Sequence, residues 1–175
     1  MKFYSGFSLK NESNFFDDYI KKSQYCICGF SYGAIKAYEY VKKQLENGNR
    51  VDSLQLFSPA FFQNKTPQFK KMQLRAYKKN QEVYLKQFIN SCFSPYKQQI
   101  IEHNYNNTID ELNELLNYEW IILELKELLN QGVNIEVYLG GKDKIIDTMD
   151  AKDFFKEIAT ITYIKNANHF LQINN

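Results

Sequence analysis

The strongest constraint on the fold of this chain is a glycine-flanked serine that follows an apolar run. Residues 25–29 read as a strand buried on both faces of a parallel sheet. The pentapeptide Gly29-Phe30-Ser31-Tyr32-Gly33 begins at the end of this strand. Helical spacing begins directly afterwards and continues to residue 46, where Asn47-Gly48 is a typical stop signal. The sequence thus predicts a tight strand–turn–helix in which the Ser31 hydroxyl is exposed, as a serine nucleophile requires.

Strand and helix patterns alternate along the rest of the chain. Strand character marks residues 2–4, 54–57, 133–139 and 160–164, and helical spacing marks 12–22, 33–46, 69–77, 83–89, 108–130 and 150–158. No strand is predicted between residues 61 and 130. We therefore predict an α/β fold with a mostly parallel sheet of about five strands, in one domain spanning residues 1–175, with a helical lid insertion at 61–131.

A serine nucleophile needs a base and an acid that orients it. His169 follows the last predicted strand and Asp143 follows the fourth, so both should leave the same sheet edge as Ser31. We favour Asp143 over Asp147, which is placed to cap the next helix, and His169 over His103, which lies in a polar stretch and is expected at the surface. The order serine, aspartate, histidine is that of α/β-hydrolases, and it predicts a Ser31–His169–Asp143 triad.

An oxyanion hole requires two converging backbone N–H groups. Tyr32 supplies one, because it follows the nucleophile and opens the helix. The loop after the first strand, Ser5-Gly6-Phe7, is expected to supply the other through the amide of Phe7.

Charge is distributed unevenly along the chain. Residues 61–100 contain eight basic side chains and one acidic one, whereas residues 101–131 contain seven acidic side chains and one basic one. Such asymmetry indicates either an acidic partner for the basic segment or pairing between the two segments. The formal net charge of +2 gives no indication of nucleic-acid binding.

The composition predicts a globular protein outside the membrane. No apolar run is long enough to span a bilayer, and residues 1–7 do not read as an export signal, so a cytoplasmic location is expected. Cys26, Cys28 and Cys92 have no metal-like spacing and are interpreted as reduced core residues. We expect no metal and no cofactor.

Taken with the triad, several stretches make the chain resemble the α/β-hydrolase superfamily, and more narrowly the short pimeloyl-[acyl-carrier protein] methyl ester esterases of the BioV type. The matching stretches are Phe3-Tyr4-Ser5-Gly6-Phe7, Asn11-Glu12-Ser13, Gly29-Phe30-Ser31-Tyr32-Gly33-Ala34-Ile35-Lys36-Ala37, Leu56-Phe57-Ser58-Pro59, Ile135-Glu136-Val137, Lys142-Asp143-Lys144-Ile145 and Asn168-His169-Phe170-Leu171-Gln172. The resemblance implies hydrolysis of the methyl ester of pimeloyl-[acyl-carrier protein] in biotin biosynthesis. It assigns Ser31, Asp143 and His169 to catalysis, and Phe7 and Tyr32 to oxyanion and substrate contacts.

The basic segment agrees with this substrate, because acyl carrier protein is acidic. Candidate carrier contacts are Lys70, Lys71, Arg75, Lys78 and Lys79, unless the acidic segment neutralises them. Aromatic residues of the insertion are expected either to line an acyl tunnel or to form its core. The alternatives are another acyl hydrolase, such as a short-chain carboxylesterase or a thioesterase, and a non-catalytic binding module.

The predicted fold is truncated relative to ordinary α/β-hydrolases. The first strands and the helix after the catalytic histidine are missing, and segment 12–22 leads directly into the nucleophile strand. Strands in sequence order with right-handed crossovers put every crossover helix on one face. The opposite face should then be poorly covered, which indicates a homodimer or cover by the insertion.

Overall fold

A five-stranded parallel sheet organises the molecule. The computed structural model describes residues 1–104 and 107–173. The strands of this sheet are β1 (Lys2–Tyr4), β3 (Cys26–Phe30), β4 (Ser53–Phe57), β6 (Asn134–Gly140) and β7 (Thr160–Ile164). They lie in the order β1-β3-β4-β6-β7, and every neighbouring pair is parallel. The predicted α/β architecture is therefore confirmed, and the carboxyl ends of the strands share one edge.

Six α-helices connect the strands in the described part of the chain. They are α1 (Tyr32–Glu46), α2 (Pro67–Lys79), α3 (Gln81–Phe93), α4 (Ile109–Asn117), α5 (Ile122–Asn130) and α6 (Thr148–Phe155). None of these helices is long and apolar enough to cross a bilayer. Four of them lie between β4 and β6, in the segment predicted to be an insertion; its bounds at 61 and 131 stay a prediction.

A second, two-stranded sheet corrects the prediction that residues 61–130 contain no strand. Strand β2 (Leu9–Lys10) pairs antiparallel with β5 (Glu102–His103), and Leu9 lies opposite His103. Two residues are too few to produce a periodic pattern. The pairing depends instead on the approach of two segments that are distant in the sequence. It attaches the insertion to the loop that follows β1.

Crossover helices cover one face of the main sheet. Helix α1 packs along β3 and β4, while α5 and α6 pack along β6. The strand residues that face them are apolar and buried, namely Ile27, Leu54, Leu56, Ile135, Val137 and Leu139. This face is a conventional helix-on-sheet core.

The opposite face is also covered, which corrects the expectation that it is poorly covered. Phe16 lies in a 3-10 helix (Glu12–Phe16), and its ring stacks on Phe57 at a centroid distance of 4.7 Å. Phe93 at the end of α3 packs on Phe170 of the C-terminal segment at 4.5 Å. The insertion, the 3-10 helix and the C-terminal segment thus cover this face, and the homodimer stays a prediction.

The predicted helix over 12–22 is wrong beyond residue 16. Only Glu12–Phe16 is helical, as a 3-10 helix, and Asn11 at its N-terminus adopts φ 61° without a side-chain cap. The chain then runs along the sheet, where Gln55 accepts a hydrogen bond from Lys21 N–H and donates one to the Tyr19 carbonyl. These bonds to a buried side chain replace the intrahelical bonds that the helical spacing predicts.

Replacing Gly33 with alanine should destabilise the fold. A Cβ atom there would lie 2.0 Å from the Tyr4 carbonyl oxygen and 2.5 Å from that of Ser5, so the backbone of β1 or α1 must shift. We expect the free energy of unfolding, measured by urea denaturation, to fall by about 3 kcal/mol. Lys43→Ala, at an exposed site on the same helix, should change it by less than about 0.5 kcal/mol; equal losses in both variants would contradict the close-contact explanation.

Candidate active site

Ser31 lies at the sharp turn between β3 and α1. Its backbone is held at φ 53° and ψ −116°, a conformation that costs energy for a residue with a side chain. Gly29 makes the turn possible, because a Cβ atom there would lie 2.2 Å from the Gly33 carbonyl oxygen. Ser31 N–H donates to the Phe57 carbonyl, and Ser31 C=O accepts from the amides of Ala34 and Ala60. The turn is thereby fixed to the neighbouring strand as well as to its own helix.

The structure brings Ser31, His169 and Asp143 together. His169 Nε2 lies 3.1 Å from Ser31 Oγ, and His169 Nδ1 lies 2.6 Å from Asp143 Oδ2. The side chains of His169 and Asp143 are completely buried. Ser31 is only 3% exposed, because the described segments around the turn cover it, so the prediction of an exposed hydroxyl is wrong. With the Nδ1 proton directed at Asp143, Nε2 is free to accept the Ser31 proton.

The carboxylate of Asp143 is oriented by its own loop. While Oδ2 contacts His169, Oδ1 accepts hydrogen bonds from Ile145 N–H at 2.7 Å and Ile146 N–H at 3.2 Å. Asp147 instead accepts from Met149 and Asp150 N–H and caps α6. Asp143 therefore lies against His169 and Asp147 caps α6, which are the positions that the sequence predicts for them.

The loop that carries His169 is held by the end of α3, a contact that sequence analysis missed. His169 N–H donates to the Cys92 carbonyl at 3.2 Å, and the Asn168 side-chain amide donates to the Phe93 carbonyl at 2.9 Å. The imidazole packs on Phe30 at a centroid distance of 4.9 Å. Helix α3 therefore takes part in placing the histidine, and no sequence pattern marks residues 92 and 93 for that task.

The two predicted oxyanion residues are neighbours. Their rings meet edge-on at 6.3 Å, and Phe7 is 1% exposed. Tyr32 opens α1, so its N–H has no acceptor within the helix. No hydrogen bond from Phe7 N–H to another described residue is found. Both amides are thus available near the nucleophile, although their role as an oxyanion hole stays a prediction.

The Tyr32 hydroxyl points away from the reaction centre toward the insertion. It donates to Glu114 at 2.7 Å, and burial together with this bond raises the pKa of the Tyr32 hydroxyl. It therefore stays protonated at neutral pH, and its contact with α4 is structural.

A largely apolar cavity of about 270 Å³ lies between Phe7 and the insertion, and Ser31, Asp143 and His169 are not among its lining residues. Ile145, two residues beyond Asp143, forms part of its wall. The other lining residues are Phe62, Phe69, Gln73, Tyr84, Gln87, Phe88, Ser91, Leu112, Leu115, Leu116 and Lys144. Of the aromatic residues expected at an acyl tunnel or in the insertion core, Phe62, Phe69 and Phe88 line the cavity, whereas Phe61, Tyr77 and Phe93 are buried in the core.

The five carrier-contact candidates do not share one surface. Lys71, Arg75, Lys78 and Lys79 are exposed and follow the three- and four-residue spacing of one helix face. Lys70 is half-buried and lies seven residues before the buried Tyr77, on the flank of α2 toward the core. We call the four exposed side chains the basic face of α2.

The acidic segment contacts α1 rather than the basic face of α2. Glu114 pairs with Lys36 at 2.7 Å, and Glu124 pairs with Lys42 at 2.8 Å. Within residues 1–104 and 107–173, no ion pair joins the basic face to an acidic side chain. Pairing between the two segments therefore does not account for the charge asymmetry there.

His103 is not part of the triad. It is half-buried in β5 opposite Leu9, so the expectation of a plain surface residue needs correction. Residues 105 and 106 of its polar stretch lie outside the described residues.

Known proteins resemble this chain in structure. No protein-family model and no curated protein matches the sequence. BioG from Haemophilus influenzae is 12% identical, with a TM-score of 0.61 over 97% of this chain and 88% of BioG. The esterase EaEST from Exiguobacterium antarcticum is 17% identical, with a TM-score of 0.61 over 81% of this chain and 58% of that one. Naproxen esterase (carboxylesterase NP) from Bacillus subtilis is 20% identical, with a TM-score of 0.52 over 96% of this chain and 63% of that one.

The chain spans about three fifths of the length of the two esterases and most of the length of BioG. At identities of 12 to 20%, the likeness concerns architecture. Together with the parallel sheet and the serine turn, it shows that this protein has the α/β-hydrolase fold.

Proposed function

We propose that this protein is a serine carboxylesterase that hydrolyses the methyl ester of pimeloyl-[acyl-carrier protein] to pimeloyl-[acyl-carrier protein] and methanol. The observation that carries the catalytic part is the Ser31–His169–Asp143 chain of contacts, with separations of 3.1 and 2.6 Å. An apolar cavity is linked to these residues through Ile145, whose N–H donates to Asp143. The methyl ester and the carrier protein rest on the sequence resemblance, and the charge distribution supports them.

The proposed cycle has two steps of acyl transfer. His169 Nε2 accepts the Ser31 proton as Oγ attacks the ester carbonyl, and the N–H groups of Phe7 and Tyr32 stabilise the resulting oxyanion. Collapse expels methoxide, which leaves as methanol with the proton from His169. Water then attacks the acyl-enzyme through the same base, and Ser31 regains its proton as the free carboxylic acid forms. Asp143 remains ionised and holds the imidazolium.

The cavity and the basic face support a carrier-bound acyl chain. A volume of about 270 Å³ is at the small end for ligand pockets, which favours one short acyl chain over a bulky substrate. Its wall includes Phe69 and Gln73 of α2, the helix whose outer side carries the basic face. An acidic carrier docked on that face would deliver its acyl group to the cavity, with electrostatic steering of the encounter.

Labelling with a fluorophosphonate probe tests the nucleophile. We expect the wild-type protein to be labelled and to hydrolyse p-nitrophenyl esters, because His169 lies within hydrogen-bond distance of Ser31 Oγ. Ser31→Ala should abolish both, while circular dichroism shows an unchanged fold. Ser58→Ala is the matched control, since Ser58 is also a buried serine after a strand. An unlabelled wild-type protein would favour the non-catalytic binding module.

Substrate comparison tests the methyl ester. The proposal predicts a kcat/KM on the carrier-linked pimeloyl methyl ester at least about 100-fold above that on free short-chain esters, equivalent to about 2.7 kcal/mol of carrier contacts. It also predicts that the gene, but not its Ser31→Ala form, restores biotin-free growth to a bacterium that lacks its own pimeloyl ester esterase. Equal rates on free and carrier-linked esters, without restored growth, identify a general carboxylesterase. Preference for a carrier thioester identifies a thioesterase.

Charge reversal at Arg75 tests carrier docking. Arg75→Glu should raise KM for the carrier-linked ester about fivefold, since one exposed ion pair contributes about 1 kcal/mol, and should leave KM for a free ester unchanged. The effect should shrink as salt is added. Lys43→Glu makes the same change in net charge at an exposed position of α1; an equal rise in KM there would argue against a docking face on α2.

A further inference from the structure

We propose that Glu12 is a positioning residue for the oxyanion hole, and that its buried carboxyl group fixes the direction of the Phe7 N–H. The inference rests on the proposed esterase activity, since it concerns a part of the same site. It concerns Glu12 Oε1 and the Gly6 N–H, which immediately precedes Phe7 in the chain.

Glu12 makes a short contact with the predicted oxyanion loop. Its Oε1 accepts a hydrogen bond from Gly6 N–H at 2.6 Å, and the residue is 1% exposed. Its Oε2 is buried and has no hydrogen-bond partner among the described residues. One oxygen of an almost completely buried acid is therefore committed to this loop.

The loop turns sharply at the residue that would donate to the oxyanion. Leu9 N–H donates to the Gly6 carbonyl at 3.1 Å, and Ser8 inside the turn adopts φ 59°. Glu12 thus holds the amide of Gly6 on one side, while the Gly6 carbonyl closes the turn on the other. The Gly6 carbonyl and the Phe7 N–H belong to one planar peptide, so the bond from Leu9 sets the direction of the Phe7 N–H. The bond to Glu12 fixes the preceding peptide, from which that plane extends.

The insertion holds the far side of the same turn. Asn104 N–H donates to the Ser8 carbonyl at 3.0 Å, and β2 pairs with β5 directly afterwards. The turn is consequently held from the protein interior by Glu12 and from outside by residues 102–104. Glu12 supplies the side-chain acceptor for the Gly6 N–H, one residue before the predicted donor.

Burying this acid has a cost that a plain structural turn does not require. Burial raises the pKa of Glu12 above its ordinary value, and hydrogen bonding with the amides of Gly6 and of Glu12 itself and with the Ser5 side chain opposes that shift only in part. A buried polar atom without a partner is likewise unfavourable. Functional sites often contain residues whose conformation or burial costs free energy, because the site requires a fixed geometry. An oxyanion hole has this requirement, since its N–H donors must be oriented before the reaction.

Three substitutions at Glu12 test the proposal, with p-nitrophenyl butyrate as substrate. Glu12→Gln keeps an oxygen acceptor for Gly6 N–H, and Glu12→Asp moves that acceptor away by one methylene. Glu12→Leu removes the acceptor with a side chain of similar size. Two controls belong to the same segment. Asp17→Asn changes an exposed acid, and Phe16→Leu weakens the core while Glu12 and its hydrogen bond to Gly6 N–H stay in place.

We expect Glu12→Leu to lower kcat at least about thirtyfold with KM changed less than threefold, because a misdirected donor acts on the transition state. Glu12→Gln should stay within threefold of the wild type, and Glu12→Asp should fall about tenfold. Affinity for a boronic acid, whose tetrahedral adduct with Ser31 occupies the oxyanion hole, should fall in parallel with kcat/KM. Both controls should retain kcat, even though Phe16→Leu lowers the melting temperature.

Other outcomes overturn the proposal. It is wrong if Glu12→Leu is folded and retains kcat within threefold, if KM rises as kcat falls, or if Glu12→Gln loses as much as Glu12→Leu. Should Glu12→Leu not fold, Glu12→Asp decides: a kcat within threefold of the wild type refutes the assignment. A wild-type protein that is inactive on every ester and unlabelled at Ser31 overturns the proposed function and this inference together. If the wild-type protein is active but the Glu12 variants do not behave as expected, only the inference about Glu12 is overturned.

Discussion

The close approach of α1 to the first two strands of the main sheet is the contact on which the rest of the site depends. Gly33 passes so near the Tyr4 carbonyl that a Cβ atom there would lie 2.0 Å from it, and Gly29 and Gly33 approach each other similarly. This packing forces the chain to turn within a few residues, which places Ser31 in a strained conformation at the edge where the strands end. Because β1 ends at the same place, the loop with Phe7 arrives next to the nucleophile.

The insertion is part of the structural core of this small protein. Helix α3 fills the sheet face that crossover helices leave open, and its last carbonyl groups hold the loop of His169. Residues 102–104 meanwhile hold the loop of Phe7. A segment that contacts both the base and the predicted oxyanion donor ties their relative position to its own packing. Changes in the insertion are therefore expected to shift His169 and Phe7 relative to each other.

The acidic and the basic residues of the insertion make different contacts. Glu114 of α4 and Glu124 of α5 are engaged with lysine and tyrosine side chains of α1, namely Lys36 with Glu114 and Lys42 and Tyr38 with Glu124. These partly exposed pairs attach the helices to the main domain, each with a modest contribution. The basic face of α2 forms no ion pair with the described acids.

The sequence by itself determined the sheet and the common edge at which Ser31, Asp143 and His169 lie. Ser31, Asp143 and His169 each follow a segment with a clear strand pattern, and parallel strands bring their carboxyl ends to one edge whatever the details of packing. Only the tertiary structure decided the 3-10 helix at Glu12–Phe16, the pairing of β2 with β5, the cover of the second face and the place of Glu12. Periodicity records which residues are apolar along one element. Those other features depend instead on single hydrogen bonds and ring contacts between segments far apart in the chain, which leave no repeating pattern in the sequence.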